Sequence, residues 1–311
     1  MASESKQVVL AALTGNVLVA ASKFVAAAIS GSSAMLTEAV HSSADTLNQL
    51  LLLFGERRGR TPPDAKHPFG YDGERYFWAF VIAALVLLAG GAASIWQGIR
   101  QLQQLRPIEA PVLSLVVLGL AFVFEGSTLG FSYRAFRRIV RRHPGRGRPV
   151  SLWQFIKATR DPNLYESLLE DSAALIGIAI ATVGVVGNAY LKVLWMDGAA
   201  SIAIGLLLIA DSYVIAYATR SLIAGESAVP ALLFEVAQAL KAGGFEGSYT
   251  DLKTLHIGPD TILTTLSVPA GDRADPALAD HLDAMRRCIQ GVDDRFTHVF
   301  FDVRSAQASD R

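Results

Sequence analysis

The sequence predicts an α-helical integral membrane protein of six spans with a C-terminal cytoplasmic α+β domain. Three observations predict it. The chain of 311 residues is 51% hydrophobic, with a mean hydropathy of +0.35, more apolar than an ordinary soluble domain. Six stretches approach or exceed the roughly 20 residues that a helix needs to cross a bilayer. From about Glu226 the composition turns to that of a small soluble domain with helix and strand patterns. The expected division is therefore 1–225, a six-helix transmembrane domain, and 226–311, a cytoplasmic α+β domain.

Taken in order, the first span runs from about Val8 to Ile29 and carries Asn16 and Lys23. Met1 to Lys6 lacks a basic run, so this segment reads as a retained span rather than a cleaved signal. The second runs from about Ala34 to Gly55. The third runs from about Phe77 to Ile99 and contains Gly90-Gly91-Ala92-Ala93-Ser94, small residues that let helices approach closely. The fourth, about Val112 to Phe136, contains Glu125. The fifth, about Leu164 to Leu191, opens with Glu166, Glu170 and Asp171. The sixth, about Val193 to Ala224, contains Asp197 and Asp211.

Basic residues orient the spans. Arg57, Arg58, Arg60, Lys66 and Arg75 follow the second, and an Arg-rich stretch from Arg134 to Arg160 follows the fourth. The intervening loops on the other side are short and poor in positive charge. Positive loops stay in the cytoplasm, so both termini are expected there, with the cell (inner) membrane as the site. The Arg-rich loop reads as a topology signal with affinity for anionic headgroups. A formal net charge of zero points away from nucleic acid. The one cysteine, Cys288, excludes an intrachain disulfide framework and a Cys-based metal cluster.

In the soluble part, Pro230 to Lys241 has helical spacing and Gly243-Gly244 ends it. Leu252–Ile257 and Thr261–Val268 read as strands around a Gly258-Pro259-Asp260 turn. Asp275 to Gln290 reads as a helix, Thr297 to Val303 as a last strand, and Ser305 to Arg311 as a frayed tail. The order α-β-β-α-β predicts a sheet with helices on one side.

The chemistry concentrates at bilayer depth. His41 and Asp45 are four residues apart, so both project from one helical face. Ionisable groups in the hydrocarbon are costly and functional by default. A divalent cation compensates them, because neutral imidazole and ionised carboxylate are ligands for zinc-like metals. Glu170 and Asp171 enter from the fifth span at similar depth, by a rise of about 1.5 Å per residue. Being adjacent, their side chains diverge by about 100°, and the spacing leaves open which one faces the metal. Asn16, Glu125 and Asp197 read as packing residues. Lys23 and Asp211 read as groups that reach an interface or an opposite charge.

Several stretches together resemble the cation diffusion facilitator family of divalent-metal exporters: Leu36-Thr-Glu-Ala-Val-His-Ser-Ser-Ala-Asp45, His67-Pro-Phe-Gly-Tyr71 with Glu74-Arg-Tyr-Phe77, Leu169-Glu-Asp-Ser-Ala-Ala-Leu-Ile-Gly177, Asp197-Gly-Ala-Ala-Ser201 and Gly258-Pro-Asp260. The resemblance implies six spans, a ferredoxin-like cytoplasmic domain, a homodimer, and exchange of cytoplasmic Zn²⁺ or a similar ion for protons. It implies a transport site at His41 and Asp45, completed by the Glu170-Asp171 pair, as in a zinc-transporter subgroup. Ser167 stands where a second His falls if Asp171 is the matching carboxylate. A site with one nitrogen and several oxygens brings Mn²⁺, Fe²⁺ and Co²⁺ beside Zn²⁺. In the loop after the second span, Asp64 and His67 match metal-binding positions of some relatives, whereas Tyr71 replaces a further His. The last strand lacks an HxD-like pattern, and His256 and His298 read as packing or surface residues. The cytoplasmic domain is thus expected to dimerise without sensing metal.

Two other function classes set the contrast. A membrane-embedded metalloenzyme needs an open metal position and a general base, which Glu170 or Glu38 would supply, but no HExxH-type signature is present. A non-transporting scaffold has no need of buried carboxylates.

Overall fold

A computed structural model describes residues 2–142, 162–270 and 277–305. Most of the Arg-rich loop, Asp275 and the tail beyond Ser305 lie outside the described residues. The chain divides into two compact units, one of Met1–Gly55 with Trp78–Thr219 and one of Glu56–Phe77 with Arg220–Arg311.

The first unit is helical. Its helices are α1 (Ala2–Ser30), α2 (Ser33–Gly59), α3 (Glu74–Leu85), a π-helical turn (Val86–Gly91) continuing into α4 (Ala92–Gln103), α5 (Pro111–Arg142), α6 (Pro162–Ala189) and α7 (Trp195–Ile223). Among the described residues, five segments are long and apolar enough to cross a membrane: Leu13–Ser30, Glu74–Gln103, Pro111–Arg134, Tyr165–Ala189 and Trp195–Ile223. The second expected span, α2, is not among them. Its 27 residues give about 40 Å of helix, which is length enough, but Glu38, His41, Asp45 and Asn48 make it too polar by composition. Those four residues are buried, so the polarity faces protein. By contrast Leu18, Leu120 and Val123 are 65, 67 and 71% exposed, as a lipid-facing surface requires. The multi-helix apolar bundle marks a multi-pass membrane protein.

The bundle closes on a core that includes Ala26, Met35, Leu118, Ile178, Val185 and Ile204. Close approach of α4 and α7 depends on glycine: a Cβ on Gly98 would lie 2.6 Å from the Gly198 carbonyl oxygen. A hydroxyl chain crosses the same region. Ser201 Oγ donates to the Ser94 carbonyl at 2.9 Å and accepts from Thr37 Oγ1 at 2.6 Å, joining α2, α7 and α4.

Asp197, in the first turn of α7, caps α2 in trans. It accepts from Ser32 Oγ at 2.5 Å, Ser33 N at 2.7 Å, Ser33 Oγ at 2.9 Å and Ala34 N at 3.3 Å. Helix N-termini carry orphan N–H groups and positive potential, so a carboxylate there is doubly matched. Asn188 similarly ties down the loop before α5 through Ile108 N at 3.0 Å and the Arg106 carbonyl at 3.1 Å.

The second unit contains α8 (Pro230–Ala242), β1 (Asp251–Gly258), β2 (Thr261–Ala270), α9 (Ala277–Gln290) and β3 (His298–Ser305). The sheet order is β1-β2-β3. β1 and β2 pair antiparallel, with Asp251 opposite Ser267 and Gly258 opposite Thr261. β2 and β3 pair parallel, with Leu263 opposite His298, and α9 supplies the crossover that a parallel pair needs. Val236, Leu240, Ile262, Leu266, Met285 and Ile289 form the core. Residues 56–77 pack against this domain: Arg75 donates to Asp260 at 2.6 Å, and Asp260 N donates to Asp72 Oδ2 at 2.9 Å.

Candidate functional site

The site is built from α2 outward. His41 and Asp45 share its buried face, with His41 Nδ1 3.3 Å from Asp45 Oδ1. The contact lacks hydrogen-bond alignment, and neither ring nitrogen of His41 has a hydrogen-bond partner. One turn on, Asn48 Nδ2 donates to Glu170 Oε1 at 3.0 Å, fixing α6 against α2. A hollow opens between them, lined by His41, Asp45, Asn48, Glu166, Glu170, Asp211 and Ser212, and closed by Ile82, Ala83 and Ile215. About 10 Å³ of it admits the centre of a water-sized sphere, room for about one water.

Glu166 is fully buried and neither carboxylate oxygen has a hydrogen-bond partner. An isolated buried carboxylate is strongly disfavoured, so such groups pair or bind metal. Imidazole and carboxylate are donors for first-row divalent ions. Among the described residues, no group of three or more His, Cys, Asp or Glu side chains stands close enough together to hold a metal ion.

The structure separates the adjacent acidic residues of α6. Glu170 faces α2 and the hollow. Asp171 turns to α5, where it accepts from Ser132 Oγ at 2.8 Å and Thr128 Oγ1 at 3.2 Å. Ser167 follows Asp171, lying 3.1 Å from Ser132 Oγ. His41, Asp45 and Glu170 are brought together; Asp171 is not among the residues lining the hollow.

Three residues that line the hollow are not among the site residues expected from the sequence. Glu166 sits one turn before Glu170, as His41 does before Asp45, and that shared i, i+4 spacing was the available signal. Asn48 continues the same face of α2. Asp211 carried no local signal, because its face is set by how α7 packs. Lys23, set aside with Asp211, does reach an opposite charge: it is fully buried, 3.0 Å from Glu38 Oε2 and 2.7 Å from Ser42 Oγ.

The other candidates lie in the second unit. Asp64 Oδ1 accepts from His67 N at 2.6 Å and Lys66 N at 2.9 Å, and Tyr71 donates to Asp64 Oδ2 at 2.7 Å. The Tyr71 hydroxyl and then the His67 amide hold the Asp64 carboxyl below its usual range, and the same bond pushes the Tyr71 phenol up. This is a self-contained turn. His298 packs edge-on against Phe69, ring centroids 5.2 Å apart, and His256 is buried with Nδ1 3.3 Å from the Gly258 carbonyl.

Comparison with known proteins fits the geometry. Residues 9–224 match the family described as the cation efflux transmembrane domain. The chain is 29% identical over 257 residues to the human "Proton-coupled zinc antiporter SLC30A9, mitochondrial", covering 81% of this chain and 44% of that protein. It is 30% identical over 255 residues to "Metal tolerance protein C4" of Arabidopsis thaliana, covering 82% and 55%. It is 25% identical over 183 residues to "Magnetosome protein MamM" of Magnetospirillum gryphiswaldense, covering 58% and 51%. The chain thus spans about half the length of these curated relatives. A polar hollow in an apolar bundle, and a family match across that bundle, lead to one conclusion: the chain belongs to the cation efflux, or cation diffusion facilitator, family of membrane divalent-metal transporters.

Proposed function

We propose that the protein exports divalent cations from the cytoplasm in exchange for protons, with Zn²⁺ as first substrate and Co²⁺, Fe²⁺ and Mn²⁺ as alternatives. The observation that carries this reading is the hollow where α2 and α6 present His41, Asp45, Glu166 and Glu170 together inside the bundle. The zinc antiporter relative supports the substrate and the exchange. In this reading α2 crosses as a sixth span, its polar face turned inward. Both termini lie in the cytoplasm, the membrane is the cell's inner one, and the ferredoxin-like domain serves dimerisation in a homodimer.

His41, Asp45 and Glu170 bind the cation as substrate, and Glu166 completes a four-donor set. Asp171 supports the α5–α6 junction beside it. Ligands bind metal only when deprotonated, so loading the cation releases protons from the imidazole and carboxylates, and protons arriving from the outer side compete it off. Asn48 orients Glu170 as an outer hydrogen-bond partner, a role that affects affinity by about 10–100-fold in metal sites.

The test uses purified protein in liposomes. Zn²⁺ or Co²⁺ uptake is expected with counterflow of H⁺, and Asp45→Ala is expected to reduce uptake by about 100-fold or more, beyond the loss of an outer partner. Unchanged uptake by Asp45→Ala would defeat the site assignment.

A further inference from the structure

A third helix brings polar side chains to the hollow. Asp211, near the middle of α7, lines it together with the α2 and α6 donors, and its neighbour Ser212 is buried with a hydroxyl that has no partner. Asp211 makes no hydrogen bond or ion pair among the described residues, so no structural contact accounts for a carboxylate there. Glu166, fully buried, has both oxygens unpartnered in the same hollow, an independent sign that the hollow is lined to take a cation.

The donor set is lopsided. One imidazole, His41, faces the carboxylates of Asp45, Glu166, Glu170 and Asp211 and the Asn48 amide. A tetrahedral zinc site is complete with four donors, the number that α2 and α6 contribute in the transport reading above. A further carboxylate is surplus to zinc. Ions that favour oxygen and six-coordination, Mn²⁺ above all, use it.

We propose that Asp211 is a specificity-determining residue, adding a carboxylate from α7 to the α2–α6 donors so that the site accepts Mn²⁺ as well as Zn²⁺. The inference rests on the transport reading above and assigns its ion class. Asp211 enlarges the oxygen shell when Mn²⁺ occupies the hollow and stands aside when Zn²⁺ does. Substitution of Asp211 therefore changes selectivity, whereas loss of a residue shared by both ions changes turnover of both.

The experiment measures Mn²⁺ and Zn²⁺ uptake separately in liposomes holding the full chain, as wild type, Asp211→Asn and Asp211→Glu. Wild type is expected to carry both ions. Asp211→Asn is expected to lower Mn²⁺ uptake by about tenfold or more, the scale of one lost partner at a metal, with Zn²⁺ uptake within about threefold of wild type. Asp211→Glu is expected to preserve the Mn²⁺-to-Zn²⁺ ratio. An unchanged ratio in Asp211→Asn, equal loss of both ions in a variant that elutes as wild type, or wild type carrying Zn²⁺ alone would overturn the proposal. Wild type carrying neither ion would overturn the transport reading itself. X-ray absorption of wild-type protein loaded with Mn²⁺ alone is independent of any variant's folding. A six-coordinate, oxygen-dominated shell is expected, and a four-coordinate shell overturns the proposal.

Discussion

Asp197 and Glu166 are both fully buried carboxylates in one helical bundle, and they are bonded in opposite ways. Asp197 accepts from two backbone amides and two hydroxyls at the start of α2. Glu166 accepts from nothing. The difference teaches how to sort buried charge. A carboxylate whose oxygens are saturated by donors holds helices together, and one left bare in a polar hollow is, in the reading proposed above, a cation ligand. Lys23 is matched in the same way as Asp197, its ammonium bound by Glu38 Oε2 and Ser42, whereas Glu38 stands between the two cases, with Oε2 paired and Oε1 bare.

Substitutions that exchange the two behaviours test the division. Glu166→Gln is expected to lower Zn²⁺ uptake by about 10–100-fold while leaving thermal stability close to wild type, because no hydrogen bond or ion pair to Glu166 is lost and the buried carboxyl is neutral when no cation offsets it. Loss of stability without loss of uptake would reverse its assignment. Asp197→Ala is expected to do the opposite. It strands the Ser33 and Ala34 amides at the α2 N-terminus, at about 1–3 kcal/mol each, while the Ser hydroxyls can turn to other acceptors, so thermal unfolding in detergent should show about 2–6 kcal/mol of destabilisation. The protein that remains folded should still bind Zn²⁺.

The adjacent pair on α6 sharpens the same comparison on a smaller scale. Asp171→Asn keeps one acceptor oxygen and turns an amide donor toward the other hydroxyl, which accepts in its place, and should leave Zn²⁺ uptake within about threefold of wild type, well short of the 10–100-fold attached to direct and outer metal partners. A loss matching that of Glu170→Gln would bring Asp171 into the transport site.

The smallest effect belongs to Asp64, outside the membrane. Its folded carboxyl titrates below its unfolded value because Tyr71 and the His67 amide favour the ionised form. Its contribution to loop order is therefore present above the ordinary carboxylate range and fades as pH falls through the lower folded value. Amide exchange at Lys66 and His67 should stay slow from neutral pH down to that range, and should speed up in Asp64→Asn already at neutral pH.

Much of this was legible in the sequence, for identifiable reasons. His41 and Asp45 are related by one helical turn, a local geometry that spacing alone discloses. The strands from Asp251 and Thr261 meet at a Pro259-Asp260 turn, which turn chemistry also discloses. The division of labour between Glu170 and Asp171 was not legible, because two neighbours on a helix differ by rotation, and only packing against α2 and α5 sets that rotation. Asp171 has Ser167 one turn before it and Glu170 has Glu166, and spacing alone does not choose between these two registers. Asp211 was hidden for a longer-range reason, since nothing near it in the chain predicts that α7 turns it toward α2. The polar character of α2 drew notice to the site and, for the same reason, takes that helix out of the set apolar enough to span by composition.

The central claim is that a doubly charged ion occupies the hollow between α2 and α6. Anomalous X-ray scattering at the zinc edge from crystals of the Zn²⁺-loaded protein tests it most directly. The account predicts a peak bounded by His41, Asp45, Glu166 and Glu170. A loaded protein whose peaks all lie elsewhere, with those four side chains unchanged around an empty hollow, would contradict it.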